Sequence, residues 1–456
     1  MTRALIRRFT RSILLVGMGV SASCAGPVEP PVGPSFAKGK PAADPTVTAS
    51  DPAYGHEGEV NKVVRISGTG FAPGAQASWE RGGVADSKIQ VVATQFVSST
   101  ELSATITIAS DAAIDLYDLS VTNPDRKKGI GYALFEVTTA NALPELANRS
   151  ISSHALAIND AGAIVGRSNG RAFFWTLGAG IEDLGAGQAT DIDGSGSRVV
   201  GGTATGPGGT PMVWTGGSGS WSGAALTMSC VGSAVGGLVW SVTPDGVLAG
   251  GVVLASTSHN KTRPVPVLWQ LQPMTCTQLT LPSAFSASGR VTDVNQLGTA
   301  AGWASDGGGS SRAVVWDAGG TSSVLAPLVG QASSGAEAIS EDGLLVVGLS
   351  GSQAAYWVKS GGVWSGAVAL SIGAACQSAA TSWANDVNGS GLVVGKGCDG
   401  GAWYWQVSGG VATPGIRLPG LGPKNASSAE AVNNQSTGGM PWIAGGAGGL
   451  AAYWNK

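Results

Sequence analysis

The sequence predicts an all-β protein in which a β-sandwich precedes a seven-bladed β-propeller closed by N- and C-terminal strands. Three observations carry this reading. One short pattern recurs seven times between Ala155 and Trp454, and self-similarity at a period of tens of residues marks an array of identical supersecondary units. Every pass ends its third apolar run on tryptophan. Glycine is abundant (72 of 456 residues) and charge sparse (12%), yet 43% of the chain is hydrophobic, a balance that suits many short buried strands and tight turns.

Residues 1–24 read as an export signal: Arg3, Arg7, Arg8 and Arg11 precede an apolar run, Ile13 to Val20, too short to span a bilayer. Ser21-Ala22-Ser23-Cys24 resembles a bacterial lipoprotein lipobox, although Ser21 stands where an aliphatic is usual. The resemblance implies lipid attachment at Cys24; ordinary cleavage near Ala25 is the alternative. Without the first 23 residues, 22 basic groups face 29 acidic ones, a formal −7, and no basic stripe is left for nucleic acid. Residues 25–44, with Pro27, Pro30, Pro31, Pro34 and Pro41, read as an extended tether. Membrane contact is then expected through a lipid anchor only.

Residues 45–139 alternate β-rich runs with turns: Val63 to Ser67, Ile89 to Ala93, Leu102 to Ile108, Tyr117 to Val121 and Tyr132 to Val137. The period-two pattern is plainest in Leu102 to Ile108, and a sandwich follows. Ile66-Ser67-Gly68-Thr69-Gly70-Phe71 and Tyr117 to Asp125 resemble the IPT/TIG immunoglobulin-like domain. That resemblance implies an Ig-like fold in which the glycines shape a strand-end turn and the phenylalanine packs into the core.

Residues 140–456 carry the repeat. Its first strand ends on Ile158, Ile192, Val242, Val294, Ile339, Val387 and Val432, each followed by a short polar residue: Asn159, Asp193, Thr243, Asn295, Ser340, Asn388 and Asn433. Such side chains bond nearby backbone and start tight turns. Four residues after the aliphatic come Gly162, Gly196, Gly246, Gly298, Gly343 and Gly391, with Ser436 in the last pass; glycine supplies the positive φ of a hairpin. A second run closes on Gly166, Gly201, Gly250, Gly302, Gly348, Gly395 and Gly445. The third closes on Trp175, Trp214, Trp269, Trp316, Trp357, Trp405 and Trp454. A looser fourth strand is read at Ile181 to Leu184, Thr277 to Leu281, Val324 to Leu328 and Ala367 to Leu370. Four strands in about 45 residues make one propeller blade. The last pass lacks a fourth strand, and Ala142 to Leu146 is expected to supply it from the other side of the repeat array, with Pro144 favouring an edge.

One tryptophan at a fixed place in every pass is what packing between neighbouring units needs, so these seven are expected to be core. Trp221, Trp240, Trp303, Trp364, Trp383, Trp403 and Trp442 fall outside that position and are the better ligand candidates. Four cysteines besides Cys24 suggest disulfides in an oxidising compartment. Cys230–Cys276 and Cys376–Cys398 are the favoured pairs among three possible connectivities. No close Cys pair suggests zinc.

Arg171-Ala172-Phe173-Phe174-Trp175, after Ala155 to Asn159, resembles the bacterial extracellular HAF repeat family. The resemblance implies secretion or surface display and no settled activity. Recognisable catalysis is not found. His56, His154 and His259 are the only histidines; no carboxylate is evident to orient His154 or His259, and both read as solvated loop residues. Asp191-Ile192-Asp193-Gly194-Ser195-Gly196 starts like a calcium loop but has Gly202 at the twelfth position, so a turn is preferred. The residue before each aliphatic is Ala157, Asp191, Ser241, Asp293, Ala338, Asp386 or Ala431, one step from a buried position and so facing the channel side. Asp191, Asp293 and Asp386 are therefore weak candidates for holding a cation; the preferred role is accepting backbone hydrogen bonds. No catalytic residue, metal site or cofactor is assigned. The leading expectation is an exported, monomeric binding module for an extracellular glycan or protein. The alternatives are a polysaccharide hydrolase or lyase using Asp191, Asp293 or Glu337, and a structural envelope protein.

Overall fold

The computed structural model describes residues 44–146, 152–217, 219–257, 261–373, 381–423, 426–434 and 441–455. Among them every regular element is a strand except a 3₁₀ turn at Ser283–Phe285. The expected leader, Cys24 and nearly all of the tether lie outside the described residues.

Residues 46–137 form two sheets. Thr46–Asp51, Lys62–Thr69, Glu101–Ile108 and Ile89–Ser98 pair in one; Tyr54–Gly55, Lys128–Val137, Leu116–Thr122, Gln76–Arg81 and Val84–Ala85 pair in the other. All five expected strands are present, and Thr46–Asp51 and Gln76–Arg81 are additional. The sheets share one core, with Val64, Ile66, Leu102 and Ile106 meeting Trp79, Tyr117, Leu119 and Phe135. Burial alternates strictly along Glu101–Ile108. Phe71 joins this core, and the Asn123 side chain pins the backbone on either side of it, donating to Gly70 O (2.8 Å) and accepting from Ala72 N (3.1 Å).

Antiparallel sheets then follow one per repeat, an arrangement consistent with a propeller. The first contains Ser153–Ile158, Ile164–Ser168, Arg171–Thr176 and Gly180–Ala186 in that order. First strands in the later repeats are Gln188–Ile192, Ala234–Val242, Ser288–Val294, Ser334–Ile339, Trp383–Val387 and Ser427–Val432. Each packs against the first strand of the next sheet, and the last packs against the first. The six turn glycines expected to need positive φ all have it, between 68° and 79°. Fourth strands match at Gly180–Ala186 and Val368–Ala369 but fall earlier than expected at Met274–Gln278 and Ser322–Val324.

Ala140–Ala142 pairs antiparallel with Leu450–Trp454 and completes the last sheet. The pairing is two residues earlier than expected: Leu143 N still bonds Ala451 O (2.8 Å), and Pro144, lacking an N–H, stands just outside the strand.

All seven repeat tryptophans are buried, none above 5% exposed. In five of them the indole N–H donates to a backbone carbonyl just after the fourth strand of the preceding sheet: Trp269 to Thr227, Trp316 to Thr280, Trp357 to Ala326, Trp405 to Ser371 and Trp454 to Pro419, at 2.7–2.9 Å. Each thus closes one joint with both its apolar area and its polar edge. Cys230 and Cys276 are disulfide-bonded as expected, a bond typical of oxidising compartments. Cys376 lies outside the described residues. Among the described residues no helix is long and apolar enough to cross a membrane.

Candidate functional site

Every first strand carries the same irregularity. Pairing with the second strand skips one residue two positions before the terminal aliphatic, between Ala155/Ala157, Ala189/Asp191, Val239/Ser241, Val291/Asp293, Ala336/Ala338, Ala384/Asp386 and Ala429/Ala431. A β-bulge re-aims the side chains around it. The bulged residues are Leu156, Thr190, Trp240, Thr292, Glu337, Asn385 and Glu430. On the opposing strand stands the second repeat glycine, where a Cβ would overlap a carbonyl oxygen of the bulged strand. In the third repeat that residue is Gly251, paired with Val239, rather than the expected Gly250.

Even and odd repeats use the bulge differently. In the second, fourth and sixth, the bulged side chain ties its sheet to the next: Thr190 Oγ1 donates to Val239 O (2.7 Å), Thr292 Oγ1 to Ala336 O (2.9 Å) and Asn385 Nδ2 to Ala429 O (2.9 Å). The aspartate that follows does the same. Asp191 accepts the N–H of Ile192 (2.8 Å) and of Val242 in the next sheet (2.7 Å). Asp293 accepts those of Val294 (2.7 Å) and Ile339 (2.8 Å), and the Ser241 hydroxyl (2.7 Å). Asp386 accepts those of Val387 (2.7 Å) and Val432 (2.8 Å). The polar residue after the aliphatic adds a third tie where it is asparagine: the amides of Asn159, Asn295, Asn388 and Asn433 donate to Asp193, Ser340, Asn433 and Asn159 carbonyls at 2.9–3.2 Å.

The three aspartates border a cavity of about 150 Å³ at one end of all seven first strands, with Asp160 and Glu341 on its rim. Burial, reinforced by repulsion from Asp293 and Asp386, pushes the Asp191 carboxyl up to about 8 despite its two N–H donors. Burial with repulsion from Asp293 and Glu341 pushes Asp386 up to about 7, and burial raises Asp293. Among the described residues no three His, Cys, Asp or Glu side chains are grouped to hold one metal ion. The aspartates work as backbone acceptors that lock pairs of sheets. Likewise Asp193 forms a turn, accepting from Ser197 N (2.8 Å) and Arg198 N (3.0 Å).

In the odd repeats the bulged side chains Trp240, Glu337 and Glu430 do not bond a backbone carbonyl of the next sheet, and two polar clusters form around them, one on Arg290 and one on the pair of Glu430 with His154. The Arg290 guanidinium lies 4.8 Å from the Trp240 ring and 5.9 Å from that of Trp303, and its Nη2 reaches Glu337 Oε2 at 3.4 Å. Arg290 Nε and Trp240 Nε1 are buried without a hydrogen-bond partner among the described residues. Further round, Glu430 Oε1 accepts from Ser428 Oγ (2.6 Å) and pairs with His154 Nε2 (2.9 Å), while Glu430 Oε2 accepts from Asn385 Nδ2 (3.1 Å). His154 is therefore not a solvated loop residue: it sits on Ser153–Ile158, oriented by a carboxylate that arrives from the last repeat. His259 lies outside the described residues.

The two glutamates are driven apart electrostatically. Burial raises Glu337, reinforced by Glu430 and only partly offset by Arg290. Burial acts on Glu430 too, but hydrogen bonds from His154 and Ser428 and the charges of His154 and Lys396 outweigh it and lower its pKa. Beside Glu337, between the fourth and fifth sheets, opens a pocket of about 270 Å³ that includes Trp303, Gly335 and Leu349.

Of the irregular tryptophans, Trp240 and Trp303 therefore flank the Arg290 cluster. Trp403 is buried and donates to Asp399 (2.9 Å), Trp221 donates to Glu182 (3.1 Å), Trp442 stacks on Tyr453 and Trp364 lies under Lys359. Trp383 is about one-third exposed. Arg290 and Glu430 were not singled out in the sequence; reading the column two residues before the aliphatic would have picked out Trp240, Glu337 and Glu430.

No known protein family and no curated protein matches the chain. Solved structures similar to it include U3-55K (TM-score 0.41, 11% identity, 70% of this chain and 98% of that one). Others are the β-propeller domain of the Trilobed protease from Pyrococcus furiosus (0.35, 8%, 85% and 93%) and the Hadza microbial sialidase Hz136 (0.39, 10%, 87% and 93%).

Proposed function

We propose that this chain is an exported binding module: an Ig-like sandwich over residues 45–139, of IPT/TIG type, carrying a seven-bladed propeller of HAF-type repeats over residues 140–456. The leader reading of residues 1–24, with lipid attachment at Cys24, and the tether over 25–44 put it on the cell envelope or outside it; the Cys230–Cys276 bond suits that compartment. The observation that carries the binding role is the division of labour at the bulges. Even repeats use this position to lock neighbouring sheets by backbone bonds, whereas odd repeats leave Trp240 and Glu337 gathered on Arg290 and Glu430 paired with His154. Aromatic faces beside a few convergent polar groups are the make-up of a recognition site. Screening the exported protein against a glycan array and by surface proximity labelling tests this. Glu337→Gln and Glu430→Gln should each weaken the interaction found by about tenfold, equivalent to ~1.4 kcal/mol. Full binding by both variants would remove the site.

A second reading, a hydrolase or lyase acting on extracellular polysaccharide, draws support from the opposite displacement of Glu337 and Glu430. Such divergence suits one carboxyl to donate a proton and the other to act as base or nucleophile. Release of new reducing ends or unsaturated products from polysaccharide, abolished in both Gln variants, would establish it; a polysaccharide that binds and is recovered uncut would dismiss it.

A further inference from the structure

We propose that the pocket between the fourth and fifth repeat sheets is a subsite for one neutral pyranose ring of an extracellular glycan, held between the Trp303 indole and the Glu337 carboxyl. The inference rests on the binding-module reading and assigns its ligand class.

The pocket exists because of one glycine. Four residues before the terminal aliphatic the repeats carry His154, Gln188, Leu238, Arg290, Gly335, Trp383 and Ser428. Five of the seven have a large side chain there. Only the fifth has none, and the 270 Å³ space opens at Gly335. A Cβ on Gly335 would meet Leu349 Cδ2 at 3.5 Å and the Trp303 side chain at 3.8 Å, ordinary contact distances, and its φ is not positive. Neither backbone conformation nor close packing demands glycine, in contrast to Gly348 opposite the bulge, so the missing side chain makes room for something else.

The walls define that occupant. Trp303 and Leu349 offer apolar surface, Glu337 the sole charged side chain, and Ser311, Ser333 and Ser334 polar edges. A pyranose ring has this mixed character: a face of C–H groups that lies on an aromatic ring and a rim of hydroxyls that donate to a carboxylate. Arg290 holds Glu337 from behind while lying against two indoles, which fixes the carboxyl without filling the pocket. With no cation among the described residues that line the pocket and the Arg290 charge already engaged by Glu337, an acidic sugar would find nothing to pair its carboxylate, whereas a neutral one needs only hydrogen-bond partners.

Titration calorimetry of the folded protein with cellohexaose, mannohexaose and chitohexaose, and with hexagalacturonate as the acidic control, tests this. At least one neutral hexasaccharide should bind. Gly335→Leu, which fills the space, and Trp303→Ala should each weaken it by about tenfold or more; Trp303→Phe should stay within about threefold, and Trp364→Ala outside the pocket should change nothing. Gly335→Ala, which fits in ordinary contact, guards against loss of folding and should give a smaller loss with an unchanged melting curve. Undiminished binding by folded Gly335→Leu overturns the subsite and leaves the module reading intact. Binding of hexagalacturonate alone, or of a labelled surface protein with no saccharide, overturns the ligand class only. No ligand in either assay overturns both.

Discussion

An aspartate whose two oxygens each accept a backbone N–H ordinarily prefers to be charged, because both donors stabilise the anion. At Asp191 and Asp386 burial and repulsion from neighbouring carboxylates prevail, and the folded protein holds these protons up to about 8 and about 7. Unfolded, the same groups would lose them near the ordinary value of 3.8. The folded state therefore binds more protons in between. Their contribution to stability is complete below about pH 4 and declines as pH climbs through 7 to 8. Melting should occur at higher temperature at pH 5.5 than at pH 8.5. Asp191→Ala with Asp386→Ala should flatten that slope while lowering stability at pH 5.5 by ~1–3 kcal/mol for each set of stranded N–H donors. An unchanged slope in the double variant would assign the pH effect elsewhere. Glu430 acts in the opposite sense: its lowered pKa gives stability above the unfolded value that is lost in acid, so Glu430→Gln should sharpen the preference for low pH.

At the scale of the strand, bulge and glycine form a single device. The bulge pushes a carbonyl toward the second strand, and Gly348 leaves space for that of Gly335. Gly348→Ala should cost ~1–3 kcal/mol, as overpacking does, whereas Gly335→Ala on the facing strand should cost little; chemical denaturation of the pair measures the contrast. Trp357→Ala, which removes a fully buried indole and its bond to Ala326, should cost ~3–5 kcal/mol. This device also explains what the sequence made legible. Aliphatic, turn glycine and tryptophan recur in the same order, the glycine four residues after the aliphatic in six passes and the tryptophan closing each third strand, because every sheet must solve the same packing problem, so the strands and the core tryptophans could be read directly. The site could not be read by alternation. A bulge breaks the period-two rule, so Asp293, which keeps its partner Ala301, and Glu337, which the pairing skips, serve different surroundings although they stand one and two places before their aliphatics in the same motif. Arg290 was invisible for another reason: its two indoles come from Trp240 on one sheet and Trp303 on the next strand of its own, a meeting that no local spacing encodes.

Because the number of repeats is odd, the alternation of aspartate-bearing and aspartate-free repeats must break once, and two repeats without the aspartate become neighbours. Locks run from the second sheet to the third, the fourth to the fifth and the sixth to the seventh, which leaves the seventh beside the first with Ala431 and Ala157 where an aspartate would stand. Other contacts occupy that joint: His154 with Glu430 at 2.9 Å, Asn433 with Asn159, and Asn434 N with Asp160 Oδ1 at 2.7 Å. The chain closes in the adjacent sheet, where Ala140–Ala142 pairs with Leu450–Trp454. The preceding two-sheet unit is fastened to the same region, for Glu136 accepts the N–H groups of Gly420 (3.0 Å) and Gly422 (3.1 Å) and Thr138 donates to Gly420 O (2.7 Å). Two truncations separate these contributions. A chain beginning at Ala140 loses the Glu136 and Thr138 contacts but keeps the closing strand; one beginning at Pro144 loses that strand as well. Since an unpaired edge along Leu450–Trp454 would offer open N–H and C=O groups to another molecule, the shorter chain should self-associate and melt at lower temperature and with less cooperativity, while the longer one stays monomeric with a single transition. Light scattering and calorimetry on the two chains decide the matter: equal behaviour would show that the tryptophan joints and side-chain ties hold the repeats together without strand closure.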